Sequence, residues 1–137
     1  MKILIDTNII LDVLMKREPH FDSSEKLLKL CGTQLIGCIV VSQTTDIFYL
    51  ISRNVKDAQF IKDIIKKLTD NLKVLDINSD DVKCALESDM DDYEDALLAF
   101  CAKRQKVEYI ITRNEKDFKL SPVKSLSPQE FIEQIFN

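Results

Sequence analysis

The chain has 137 residues, of which 45% are hydrophobic and 31% charged, and its net charge is −4. That length suits one domain, residues 1–137, with a substantial core and no need of staples, and the balance excludes a disordered or low-complexity protein. The negative sign argues against a broad, non-specific nucleic-acid binder but leaves room for a basic rim around an acidic pocket.

In chain order, residues 2–5 (Lys-Ile-Leu-Ile) read as a short buried strand with Asp6 at its carboxyl end. A helical apolar segment follows over 9–15, with Asp6 or Asn8 placed to cap it. Residues 16–21 contain Pro19 and form a loop. Residues 22–31 predict an amphipathic helix: Asp22 and Glu25 have capping-box spacing, and Gly32 ends it. A second buried strand spans 35–41, followed by a helix from about 44 to 52 with Asp46 in its first turn. Residues 57–68 carry Phe60, Ile61, Ile64, Ile65 and Leu68 at helical spacing. A third strand covers 72–75, and Ser79 opens a further helix.

Next comes the densest chemistry in the chain: five carboxylates between Asp89 and Asp95, running straight into an apolar helix that ends at Lys103, Arg104 and Lys106. Acids in a first helical turn are favoured by its free N–H groups and dipole, so part of this cluster needs no function. Asp95, however, shares a stripe with Leu98, Ala99 and Ala102, where an ionised acid is costly without a positive partner. Glu94 points away from that stripe, and no Lys or Arg lies within a turn on it. Residues 109–112 form a fourth strand, Val123 an edge strand, and Ser127-Pro128-Gln129-Glu130 opens a closing helix of ten residues. Alternating short strands and helices predict an α/β three-layer sandwich around a mostly parallel sheet of four to five strands.

The residue inventory narrows the chemistry. One histidine (His20), two glycines and no Cys-x-x-Cys spacing leave no His-rich metal site and no phosphate-cradling glycine loop. The four cysteines fall in apolar segments and read as buried free thiols of a reducing compartment. The apolar runs are too short for a bilayer and the opening six residues reach a charge too early for a secretory signal, so no membrane association and a cytoplasmic location are expected.

In parallel α/β sheets the working groups gather beyond the carboxyl ends of the strands. Asp6, Asp46 and the segment 113–117 each follow a predicted strand, and Asp95 is placed to reach the same edge. Carboxylates meeting in one cleft repel unless protonated or bridged by metal, and an all-oxygen donor set suits Mg²⁺ or Mn²⁺. The chemistry read from the residues is metal-assisted attack of water on a phosphate ester. Simpler roles stand beside it: Asp6 as a helix cap, Asp46 as a dipole-stabilised acid, Asn114 and Asp117 as turn formers.

Three segments carry a resemblance to the PIN-domain family, the fold of VapC-type toxins and related ribonucleases: Leu4-Ile5-Asp6-Thr7-Asn8, Asp92-Tyr93-Glu94-Asp95-Ala96, and residues 111–118 (Ile-Thr-Arg-Asn-Glu-Lys-Asp-Phe). The resemblance covers nearly the whole length and rests on the order and spacing of these motifs. It implies a metal-dependent ribonuclease in which Asp6 and Asp95 are principal metal ligands, Asp46 contributes directly or through water, and Asn114 or Asp117 completes the catalytic site. It further implies an RNA substrate, a homodimer and an antitoxin partner, with dimer contacts sought around Ile10, Leu14 and Leu28. In many family members a glutamate stands where this chain has Asp46, and an acid where it has Asn114. The resemblance therefore also admits a degenerate module that binds RNA or a protein without cutting. A phosphotransfer role for Asp6 fits poorly, because the second acid expected two positions on is Asn8.

Overall fold

A computed structural model describes residues 1–136. Its centre is a five-stranded sheet, all parallel, in the order β3-β2-β1-β4-β5. The strands are β1 (Lys2–Ile5), β2 (Ile36–Val40), β3 (Lys73–Leu75), β4 (Tyr109–Ile111) and β5 (Ser125–Leu126). The helices are α1 (Thr7–Leu14), α2 (Phe21–Leu30), α3 (Val41–Ser52), α4 (Ala58–Asn71), α5 (Ser79–Glu87), α6 (Tyr93–Arg104) and α7 (Pro128–Phe131). A 3₁₀ turn over Glu115–Phe118 follows β4, and a wider helical stretch, Ile132–Phe136, extends α7.

Side chains alternate across a strand, so β1 faces two cores at once. Ile3 and Ile5 enter one with Ile9, Leu27, Ile39, Ile47, Ile61 and Phe131, beneath α1–α4 and α7. Leu4 enters the other with Cys38, Val40, Ala96, Ala99 and Ile110, beneath α5 and α6. This is the three-layer α/β arrangement expected from the alternation of strands and helices. Continuous apolar strands are what burial on both sheet faces requires. Gly37 has a specific reason: a Cβ there would come within 2.4 Å of Cys31 Sγ and 2.8 Å of Leu72.

Several local expectations are corrected. Helix α3 begins at Val41, not near residue 44, because the buried Gln43 side chain folds back and accepts the Val40 N–H at 2.7 Å, ending the strand. Asp46 therefore lies in the second turn, outside the dipole field of the helix start. The Asp22–Glu25 capping box does not form: Ser24 N–H bonds to the His20 carbonyl, the helix starts at Phe21, and no side chain caps it. Asn78, one residue before Ser79, caps α5 by accepting from Asp81 N–H. The edge strand is Ser125–Leu126, while Val123 is core. The closing helix does start with a Ser127–Glu130 capping box, though its last expected residue, 137, lies outside the described residues.

Cys31, Cys38 and Cys101 are buried free thiols, and burial pushes Cys31 up to about 12, but Cys84 on α5 is exposed. Ile10 is fully buried in the core and so unavailable for dimer contacts, while Leu14 and Leu28 line an apolar surface hollow with Ile64, Leu68 and Leu72. Among the described residues, no helix is long and apolar enough to cross a membrane.

Candidate active site

The strand order reverses direction between β1 and β4, and in parallel α/β sheets such a point opens a crevice at the carboxyl ends. Here the crevice is a hollow of about 330 Å³. Asp6, Asp46, Asp95, Asn114 and Asp117, the residues singled out in the sequence, all line it. With them stand Thr7, Asn8, Tyr49, Leu50, Asp92 and Glu94.

Asp6 is held from the β4 side and by the first turn of α1. Its backbone N–H bonds to the Ile111 carbonyl at 2.9 Å, extending the β1–β4 ladder by one residue. One carboxylate oxygen accepts the Thr7 N–H at 2.8 Å, the capping contact of α1, and the other accepts the Thr112 hydroxyl at 2.7 Å. The cap and the cleft are thus roles of one side chain. Thr112 is fully buried, and its oxygen also accepts the Asn114 N–H at 3.0 Å, fixing the turn that presents Asn114 and Asp117. On the β2 side, Gln43 donates to the Ile5 carbonyl at 2.8 Å and the Thr7 hydroxyl at 3.2 Å, tying α3 to the end of β1.

The segment after β4 is tethered a second way. Asp12 on α1 is fully buried between two arginines: Arg113 Nε donates to it at 2.9 Å, and Arg17 Nε lies 3.0 Å away, paired by charge without an aligned hydrogen bond. A carboxylate with no solvent contact needs such pairing. Arg113 is thereby committed to α1, one residue before Asn114.

Helix α6 begins at Tyr93 because Asp92 takes the cap, accepting the Asp95 N–H at 2.9 Å. That sets Asp95 at the foot of the helix, half-buried, while Leu98, Ala99 and Ala102 of its stripe go into the core. Glu94 is exposed, as its place off the buried stripe predicts, yet it lines the same hollow. Asp46 beside it pushes its carboxyl up to about 7, with smaller contributions from burial and from the charges of Asp92 and Asp6. Sequence periodicity missed Glu94 because it locates the face toward the helix's own core, whereas Asp46 reaches α6 from a different element. The only signal was the density of acids itself.

The electrostatics follow from this crowding. Burial raises Asp6, against the pull of its Thr112 and Thr7 donors and the Arg113 charge. Asp95 is pushed up to about 7 by burial first, then by Asp92, Asp6, Asp117 and Glu94. Among the described residues the ion pairs engage Asp12, Glu25 and Asp81, and none engages a carboxylate of this hollow. No three of these groups are set as a ready-made ligand cage, again among the described residues. A divalent ion in this hollow would be held by one or two carboxylates, with water filling its other positions, the way Mg²⁺ is ordinarily bound.

A family model described as PIN domain matches residues 2–116. No curated protein matches the chain. Among solved structures the chain is similar to VapBC2 from Rickettsia felis, bound to a DNA fragment from their promoter, at 20% identity over 93% of this chain and 98% of that one, with a TM-score of 0.73. It is similar to FitAcB from Neisseria gonorrhoeae at 15% identity, covering 93% and 98%, with a TM-score of 0.73. Similarity extends to VapC20 of Mycobacterium tuberculosis, a sarcin–ricin loop cleaving toxin, at 12% identity, covering 89% and 98%, with a TM-score of 0.65. At such identities these structures speak to the fold.

Proposed function

This chain belongs to the PIN-domain family, and from that premise we propose that its acidic cleft is the centre of a Mg²⁺- or Mn²⁺-dependent ribonuclease, acting as the toxin of a toxin–antitoxin pair. The observation that carries the reading is a hollow lined by six carboxylates, none of them ion-paired among the described residues, in which Asp6, Glu94 and Asp95 are all pushed toward protonation. A structural acid cluster would be relieved by a lysine or arginine; this one is left for a cation to neutralise.

Asp6 and Asp95 hold the metal in this reading, with Asp46 contributing directly or through a water, and Asn114 or Asp117 completing the site. A divalent ion there would supply Lewis acidity toward a phosphodiester and lower the pKa of a coordinated water. The chain's own groups do the remainder. Thr112 orients Asp6, and Asp92 fixes the foot of α6. Substrate RNA is proposed by analogy with the VapC20 description, and an antitoxin by analogy with a solved toxin–antitoxin complex from Klebsiella pneumoniae that shares the fold. A homodimer and a cytoplasmic location belong to the same reading.

Asp95→Asn is expected to abolish Mn²⁺-dependent cleavage of RNA while the circular dichroism spectrum is preserved. Equal cleavage by the two proteins would refute the assignment. A second reading, a module that binds without cutting, is favoured by the shorter Asp46 and by the lack of a preformed three-carboxylate cage among the described residues. Calorimetric titration separates them: Mn²⁺ binding that is lost in Asp6→Ala supports the enzyme, and no binding by the wild type supports the module.

A further inference from the structure

We infer that Tyr49 is a stacking platform for an unpaired RNA base beside the acidic cleft, with the strand running from there across the carboxylates to Lys116 and Lys119. The inference rests on the ribonuclease reading and goes beyond it in naming the residue that positions the substrate strand.

Tyr49 sits on α3, one turn beyond Asp46, and lines the same hollow, yet it is 60% exposed. Its neighbour in the hollow, Leu50, is partly buried, so the helix had an apolar residue available for packing and still presents an aromatic ring to solvent. Arg53, one turn further on, places its guanidinium carbon 5.3 Å from the ring centroid, a cation–π stack. Arg53 makes no ion pair among the described residues, so its charge stays available at the rim.

A second hollow, of about 220 Å³, adjoins the first and shares Asp92 and Asp117 with it. Besides those two acids it is lined by Asp91, Lys116, Lys119, Met90 and Leu120, the last 63% exposed. Tyr49 with Arg53 thus stands in the first hollow, and Lys116 and Lys119 stand in the second, with the shared acids Asp92 and Asp117 between the two. Phosphates are repelled by the acids and need flanking cations; bases need flat or apolar faces. Both needs are met on either side of the reacting centre.

Only a nucleotide outside a helix can use the ring. In an A-form duplex the base faces are already stacked on one another and the wide groove offers edges and 2′-hydroxyls, not faces. Stacking on an aromatic ring is also tolerant of base identity, so the platform selects strandedness over sequence.

The test is a binding titration with a short RNA carrying 2-aminopurine, whose emission is quenched on stacking, in chelator so that no metal-dependent cleavage runs. Wild type is expected to quench the single strand. Tyr49→Ala is expected to weaken binding about 5- to 150-fold and abolish quenching, while Tyr49→Phe keeps both. The same RNA annealed into a duplex should bind weakly and be indifferent to Tyr49. Tyr49→Ala binding and quenching like wild type, or no quenching by wild type at all, overturns the inference whatever Asp95→Asn does to cleavage. Conversely, Asp95→Asn cleaving normally while Tyr49→Ala loses quenching overturns the ribonuclease centre and leaves the platform standing. Because Tyr49 is exposed, an unchanged melting temperature is expected for both variants.

Discussion

Replacing Asp95 by asparagine should make the metal-free protein more stable at high pH, a reversal of the usual effect of core-facing substitutions. The Asp95 carboxyl is held at about 7 against an ordinary value of 3.8. A group whose folded pKa is raised binds its proton more tightly in the folded state. Its stabilising contribution is complete below about 3.8 and is lost as pH climbs through about 7. Taken at face value, that displacement corresponds to about 4 kcal/mol. The side chain is only half-buried, so water screens it, and about 1–2 kcal/mol is a fairer expectation. For a chain of this size that is a melting-temperature gain of about 3–8 °C. The assay is calorimetry or thermal circular dichroism of both proteins in chelator from pH 4 to pH 8. The two should coincide near pH 4, diverge as pH rises toward 7 and stay apart above it, with the variant higher, and Mn²⁺ should close the gap by stabilising the wild type alone. A difference that does not vary with pH, or a variant less stable at pH 8, would show that the cleft charges do not burden the fold.

Other parts of the site carry their own expectations. Thr112→Val removes the buried hydroxyl that donates to Asp6 and accepts from Asn114; urea denaturation should show a loss of about 1.5–3 kcal/mol, and Mn²⁺ affinity should fall about 10- to 100-fold. Gln43→Leu orphans the Val40 N–H and the Ile5 carbonyl, with an expected cost of about 2–4 kcal/mol by the same measurement. Gly37→Ala drives a Cβ into Cys31 and Leu72 and should cost about 1–3 kcal/mol, read as a lower urea midpoint at unchanged slope.

The sheet was legible because β-branched and apolar runs such as Ile3-Leu4-Ile5 and Ile39-Val40 have no other stable use at that length. Asp6 was legible for a related reason: a lone acid directly after a buried strand must sit at its carboxyl end. What escaped was set by contacts between distant segments. Val41 has strand propensity, but the Gln43 side chain claims the Val40 N–H and turns the chain into helix early. Asp22 and Glu25 have the right spacing for a cap, but the His20 carbonyl starts the helix one residue sooner. Glu94 reads as solvent-facing on its own helix; the approach of α3, with Asp46, adds the largest part of its acidic surroundings. Periodicity describes one helix at a time, and Glu94 answers to two. The burial of Asp12 was equally hidden, since its arginine partners are Arg17, five residues on, and Arg113, 101 residues on.

The Thr112 hydroxyl holds Asp6 itself, and Gln43 holds the Ile5 carbonyl just before it. The placing of Asp6 is thus set at the carboxyl ends of the strands, and the connections at the opposite rim, residues 31–35 and 105–108, take no part in it. The exposed tip of the first bend, at Thr33 and Gln34, is where the chain should accept inserted segments or fused reporters without disturbing the hollow. Variation among related chains has the freest room at that end of the molecule.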